Sequence, residues 1–97
     1  MNVMVVMGGP SEEHDISLKS GRGAAAALAR RGYAVDAMTI PRALSPAAAA
    51  AWTAQAIQRA GADVVFIALH GAFGEDGTMQ QVCEGLHVAY TGSDVAA

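Results

Sequence analysis

The sequence predicts an α/β fold: a three-layer, Rossmann-like βαβ domain with a four-stranded, mainly parallel sheet in the order 2-1-3-4. Three observations predict it. Short, almost wholly apolar runs recur at residues 3–7, 63–69 and 88–90. Between the earlier runs lie alanine-rich stretches of helical length, and glycine or proline marks nearly every change. Strands alternating with helices imply right-handed crossovers and a parallel sheet covered on both faces.

The elements follow in chain order. Val3-Met4-Val5-Val6-Met7, closed by Gly8-Gly9-Pro10, is a strand buried on both faces. Residues 17–31 form a helix with Asp15 or Ser17 as N-cap, Arg30 and Arg31 at its negative end and Gly32 as its stop. Residues 33–40 make a second strand, ended by Pro41. Ser45-Pro46 is a cap followed by a first-turn proline, opening a helix through about Ala60. Residues 63–69 are the third strand. The loop from His70 to Gly77, a short helix from Thr78 to about Gly85, a last strand at 88–90 and a polar turn at Thr91-Gly92-Ser93 complete the chain.

Composition bounds the function classes. Ninety-seven residues hold one modest core, burying about two-thirds of the unfolded surface. Residues 1–97 are read as a single domain. Hydrophobic residues reach 53%, but 22 are alanines and only five residues are aromatic, so the packing relies on small side chains. Charged residues are 15%, against about 25% in typical domains, which suggests a face that expects a partner. A net charge of −3 with six scattered Lys and Arg offers no footprint for nucleic acid. No apolar stretch approaches the roughly 20 residues that span a bilayer. The start lacks a signal peptide's basic region, and the single cysteine, Cys83, forms no internal disulfide. A cytoplasmic location is expected.

Ligands of such sheets sit beyond the carboxyl ends of the strands, at the switch point between the first and third. Two loops meet there. In Gly8-Gly9-Pro10-Ser11-Glu12-Glu13-His14-Asp15-Ile16-Ser17 a dinucleotide fingerprint fails in register, with Pro10 and three acids where a pyrophosphate needs free amides. Carboxylates just before a helix suit an ammonium group, and the helix N-terminus suits a carboxylate; together they match an amino-acid zwitterion. The simpler reading, that Glu12, Glu13 and Asp15 complement the helix dipole, is the stronger on spacing alone. In His70-Gly71-Ala72-Phe73-Gly74-Glu75-Asp76-Gly77-Thr78 three glycines indicate close backbone approach. His70 stands at a strand end, as fit for a structural role as for a working one. Glu75, Asp76 and Thr78 suit the start of the next helix. A metal site from His70, Cys83 and His87 lacks any paired Cys/His spacing, and none is assigned.

Taken together, the loops are more specific. Residues 8–20 resemble the N-terminal signature of D-alanine–D-alanine ligases, G-G-x-S-x-E-H-E-[VI]-S-L. Residues 69–80 resemble the family's H-G-x-x-G-E-D-G-T-[ILM]-Q, and Tyr90-Thr91-Gly92-Ser93 its Y-T-G-S. Gln81, His87 and Ala89 stand where the family usually has Gly, Gly and Pro. The resemblance implies the N-terminal, pre-ATP-grasp domain of a much longer enzyme in the ATP-grasp superfamily. In that family ATP phosphorylates one D-alanine, and the amine of a second attacks the acyl phosphate, giving the dipeptide of peptidoglycan. Carried over, Glu13 is the catalytic and substrate-binding residue that holds the first D-alanine's ammonium group and orients its carboxylate. Ile16 packs over the substrate, the helix start at Ser17 faces developing negative charge, and His70 lines the subsite near the carboxylate. Glu12 falls on a variable position. ATP and magnesium are implied for the full-length enzyme and not for this domain, whose expected partners are D-alanine, the ATP-grasp lobes and a second copy in a homodimer. A free-standing, non-catalytic amino-acid-binding or dimerisation module is the alternative.

Overall fold

The computed structural model describes residues 1–70 and 77–92. β1 (Asn2–Gly8) leads to α1 (His14–Arg30), β2 (Ala34–Ile40), α2 (Pro46–Ala60), β3 (Val64–Ile67), α3 (Thr78–Gly85) and β4 (Ala89–Gly92). The strands form one sheet in the order β2-β1-β3-β4, the order the sequence predicts. Every pairing is parallel: Met4 lies opposite Asp36 on one side and Val65 on the other, and Val65 lies opposite Tyr90.

The unbroken apolar run of β1 is explained by its two strand neighbours and two covered faces, which bury every residue from Val3 to Gly8. Its side chains alternate between two cores. Met4 and Val6 join Ile40, Val65, Ile67 and Leu69 beneath Ala49, Ala56 and Ile57 of α2 and Met79 and Cys83 of α3. Val5, Met7 and Ala68 face the other way, against Leu18, Ala25 and Leu28 of α1. Two helices therefore cover one face and one helix covers the other. Full burial of a side chain such as Met4 is worth about 1.5–3 kcal/mol, so the first core carries most of the apolar stabilisation.

Small residues set the layer spacing. A Cβ on Gly21 would lie 2.7 Å from Met7 Cβ, so α1 reaches β1 only because residue 21 has no side chain. Gly23, half a turn away, has nothing within 4 Å of such a Cβ.

The helix ends mostly follow the sequence expectation. Ser45 Oγ accepts the Ala48 N–H at 3.2 Å, Pro46 opens α2, and Gly61 closes it at φ +62°. Gly32, at φ +92°, follows α1 as its stop. The start of α1 differs: the helix begins at His14 with Glu13 as the cap residue, three residues before the expected Ser17. Ser11 supplies the cap chemistry instead, its hydroxyl accepting the Glu13 N–H at 3.0 Å and its carbonyl the His14 N–H at 3.2 Å. β4 takes in Thr91 and Gly92, expected as a turn, because they pair with Phe66 and Ile67. Of the three departures from the family pattern, His87 takes a left-handed φ of +58°, which explains the usual glycine. Gln81 is an exposed helical position that suits glutamine better than glycine. Ala89 opens β4, where a proline is tolerated. Among the described residues no helix is long and apolar enough to cross a membrane.

The two glycines of α1 make opposite predictions. Gly21→Ala is expected to lower the unfolding free energy by about 1–3 kcal/mol through overpacking against Met7. Gly23→Ala is expected to raise it by ~0.5–1 kcal/mol through helix propensity. Urea unfolding followed by circular dichroism measures both, and effects of the same sign would refute this account of the α1–β1 contact.

Candidate functional site

The first loop leaves β1 through two glycines at positive φ, Gly8 at +87° and Gly9 at +84°. A Cβ on Gly8 would lie 2.8 Å from both the His14 ring and the Ile40 carbonyl oxygen, so nothing but glycine fits. The Gly9 N–H donates to Ile40 O at 2.9 Å, tying the loop to the end of β2. His14, only 9% exposed, lies 2.9 Å from Gly9 O through Nδ1, which must carry the proton because a carbonyl only accepts. The loop is thereby clamped from both sides before α1 begins.

Ser17 joins this loop to the end of β3. Its hydroxyl accepts the Gly8 N–H at 2.8 Å and donates to Ala68 O at 2.5 Å, and the residue is fully buried. Gly8 ends β1 and Ala68 follows β3, so one side chain closes the gap where the two strands part. Both of its capacities are used inside the protein. The Ser17 side chain therefore acts as a tie between the ends of β1 and β3.

The remaining candidates line the same end of the sheet. Glu13, half-buried, occupies the cap position of α1, and its carboxylate makes no capping hydrogen bond. Ile16 is 56% exposed, an unusual exposure for isoleucine on the first turn of a helix. The amides of Asp15 and Ile16 have no acceptor among the described residues, as expected of a helix start. Glu12 is exposed. His70, half-buried beyond β3, lies with Nε2 3.0 Å from Ser20 Oγ of α1. Ser20 was not a candidate from the sequence. Its signal is a polar stripe: Glu13, Ser17 and Ser20 recur at i, i+4 and i+7 along one face of an otherwise Ala- and Leu-rich helix. The glycine-rich stretch 71–76, with Glu75 and Asp76, and Ser93 of the last motif lie outside the described residues.

This end of the domain offers a carboxylate, donor amides and a histidine beside an exposed aliphatic side chain. Such a set complements a small zwitterion with an apolar side group. It does not suit a triphosphate, which Pro10 and the acidic residues oppose. Nor do His70, Cys83 and His87 meet. Cys83 is buried among the residues beneath α2 and α3, whereas His70 bonds to α1 on the opposite face. Burial, with the neighbouring Glu84 carboxylate, pushes the Cys83 thiol from 9.0 up to about 11, which keeps it protonated and a poor ligand. Among the described residues no three His, Cys, Asp or Glu side chains are grouped to hold a metal ion.

Residues 44–93 match the family model described as D-ala D-ala ligase N-terminus. The chain is 50% identical over 95 residues to the D-alanine–D-alanine ligase of Laribacter hongkongensis, covering 98% of this chain and 28% of that protein. It is 43% identical over 97 residues to the D-alanine–D-alanine ligase of Aquifex aeolicus, covering 30% of it. A crystal structure of the D-alanine–D-alanine ligase of Bacillus anthracis complexed with ATP superposes with a TM-score of 0.71 at 30% identity, over 94% of this chain and 28% of that one. The chain thus spans less than a third of the length of these proteins.

The tie at Ser17 makes a direct prediction. Removing the hydroxyl leaves two buried backbone groups unpaired, at about 1–3 kcal/mol each. Ser17→Ala is expected to lower stability by ~2–4 kcal/mol in urea titration. A loss below about 0.5 kcal/mol would show that the hydroxyl does not hold the ends of β1 and β3 together.

Proposed function

Because this chain belongs to the D-alanine–D-alanine ligase family as its N-terminal domain, we propose that it supplies the subsite for the first of two D-alanines joined in an ATP-dependent reaction of peptidoglycan synthesis. The observation that carries this reading is the placement of Glu13. It is a carboxylate without a capping hydrogen bond, at the start of a helix whose Asp15 and Ile16 amides lack acceptors among the described residues, at the strand ends where α/β sheets bind ligands.

In this reading Glu13 takes the ammonium group of D-alanine in a charge-assisted hydrogen bond. That contact fixes the substrate about its Cα and aims its carboxylate, a contribution through orientation. Ile16 covers the methyl group. The Asp15 and Ile16 amides at the positive helix end, with His70, face the carboxylate and the negative charge it develops. Ser17 acts indirectly, by holding both loops in register.

ATP and magnesium belong, in this reading, to lobes of a longer enzyme in the cytoplasm. The described residues fit neither group, having no amide cradle free of acids and no grouped metal ligands. No step through either is assigned to this chain. A partner face is supported by the sheet itself. Among the described residues α1 packs chiefly on β1 and β2, and beside it Met1, Val3, Leu28, Tyr33, Val64 and Phe66 line an open apolar groove. The ATP-grasp lobes, or a second copy in a homodimer, are the proposed surfaces to cover it.

Titration of the labelled chain with D-alanine, followed by amide NMR, is expected to shift Glu13, Ile16 and His70, with L-alanine, ATP and NAD producing smaller shifts there. Loss of a charge-assisted hydrogen bond in Glu13→Gln is expected to weaken D-alanine binding by about 10–100-fold. Phosphate release with ATP and D-alanine is expected to stay at background. Shifts with ATP alone at the same residues, or full binding by the glutamine variant, would contradict the reading.

A further inference from the structure

The geometry points to Ser20 as a positioning residue that holds the His70 ring in one tautomer, with Nε2 as acceptor and Nδ1–H as the donor offered to the ligand. Serine inside a helix ordinarily turns its hydroxyl to the carbonyl four residues back or to water. The chain shows that back-bond elsewhere, where Thr53 Oγ1 donates to Ala49 O at 2.8 Å. Ser20 makes no such bond. Its Oγ lies 3.0 Å from His70 Nε2, across 50 residues of sequence, and that nitrogen is the one acceptor its proton reaches among the described residues.

The proposed direction, with Ser20 as donor because its proton has no other acceptor among the described residues, fixes the ring. A hydroxyl that donates needs a nitrogen lone pair, so Nε2 is unprotonated and the proton of the neutral imidazole sits on Nδ1. That is the minor tautomer of free histidine, so a specific partner has to impose it. Ser20 is well placed to do so. It lies one turn beyond Ser17, whose own hydroxyl fixes α1 to Ala68, two residues before His70. The helix that carries the donor is thus anchored to the chain that carries the acceptor. Glu13 is seven residues earlier on the same helix face, about 10 Å along the axis, a span that two reaching side chains close around a ligand of amino-acid size. For a carboxylate, an Nδ1–H held in a fixed direction is a better partner than a ring free to rotate and exchange tautomers.

This inference rests on the reading that His70 lines the D-alanine subsite, and the test separates the two. Long-range proton–nitrogen correlation spectra report the His70 tautomer without any ligand. The free wild-type chain is expected to show Nδ1 protonated, Ser20→Ala to shift toward the Nε2–H form, and Ser20→Thr to restore the wild-type pattern. D-alanine affinity is expected to fall about 3–10-fold in Ser20→Ala and to recover in Ser20→Thr. An Nε2–H signature in the wild-type ring, or the same tautomer in wild type and Ser20→Ala, overturns the assignment to Ser20. Unchanged D-alanine affinity in Ser20→Ala overturns its positioning role. Absence of D-alanine binding in the wild-type chain overturns the substrate reading instead, while the ring spectra still decide the tautomer.

Discussion

One hydroxyl organises the functional end of this domain. Where β1 and β3 part at the switch point, parallel pairing leaves the Gly8 N–H and the Ala68 carbonyl facing a gap. Ser17 closes it with the donor and the acceptor of a single side chain. A residue with only one of these functions would leave a buried backbone group unpaired. The tie also sets how α1 lies on the sheet. Gly21 lets the helix reach Met7, and Gly8 lets the His14 ring lie against the loop. With α1 fixed, the positions of Glu13 at its start and Ser20 beyond the tie are fixed too. The proposed subsite is thus a consequence of how closely helix and strand approach.

Much of this was legible in the residues. The apolar run at residues 3–7 announces a strand with neighbours on both sides, and β1 has them. Ser45-Pro46 and Gly61 mark both ends of α2 by local chemistry alone. The start of α1 was not legible, because Asp15 and Ser17 are good caps in isolation and the sheet claims the Ser17 hydroxyl. Ser11 then takes over the capping. Thr91 and Gly92 read as a turn and form a strand, since β3 offers an edge that no local pattern reveals. The same logic governs the site. Glu13, Ile16, Ser17 and His70 emerged from motif resemblance, and what the residues alone did not reveal is that the buried Ser17 hydroxyl also bonds the ends of β1 and β3. Ser20 shows in the sequence only through the polar stripe it shares with Glu13 and Ser17, and its partner, 50 residues away, does not show at all.

The small-residue composition has a physical reading in these terms. Alanines and glycines let α1 and α2 sit close on a narrow sheet, which frees the polar groups of α1 to work at the strand ends instead of filling space. An open apolar groove lies beside Tyr33 and Phe66. In the proposed reading the domain is a scaffold on which Ile16 of α1 and His70 beyond β3 serve one subsite because Ser17 ties the two strand ends together.

Nuclear Overhauser contacts between D-alanine and the isotope-labelled chain test that claim most directly. The account predicts that the methyl group of one bound D-alanine shows cross-peaks to both the Ile16 side chain and the His70 ring. Cross-peaks to one loop alone, or to Phe66 in the open groove, would contradict it.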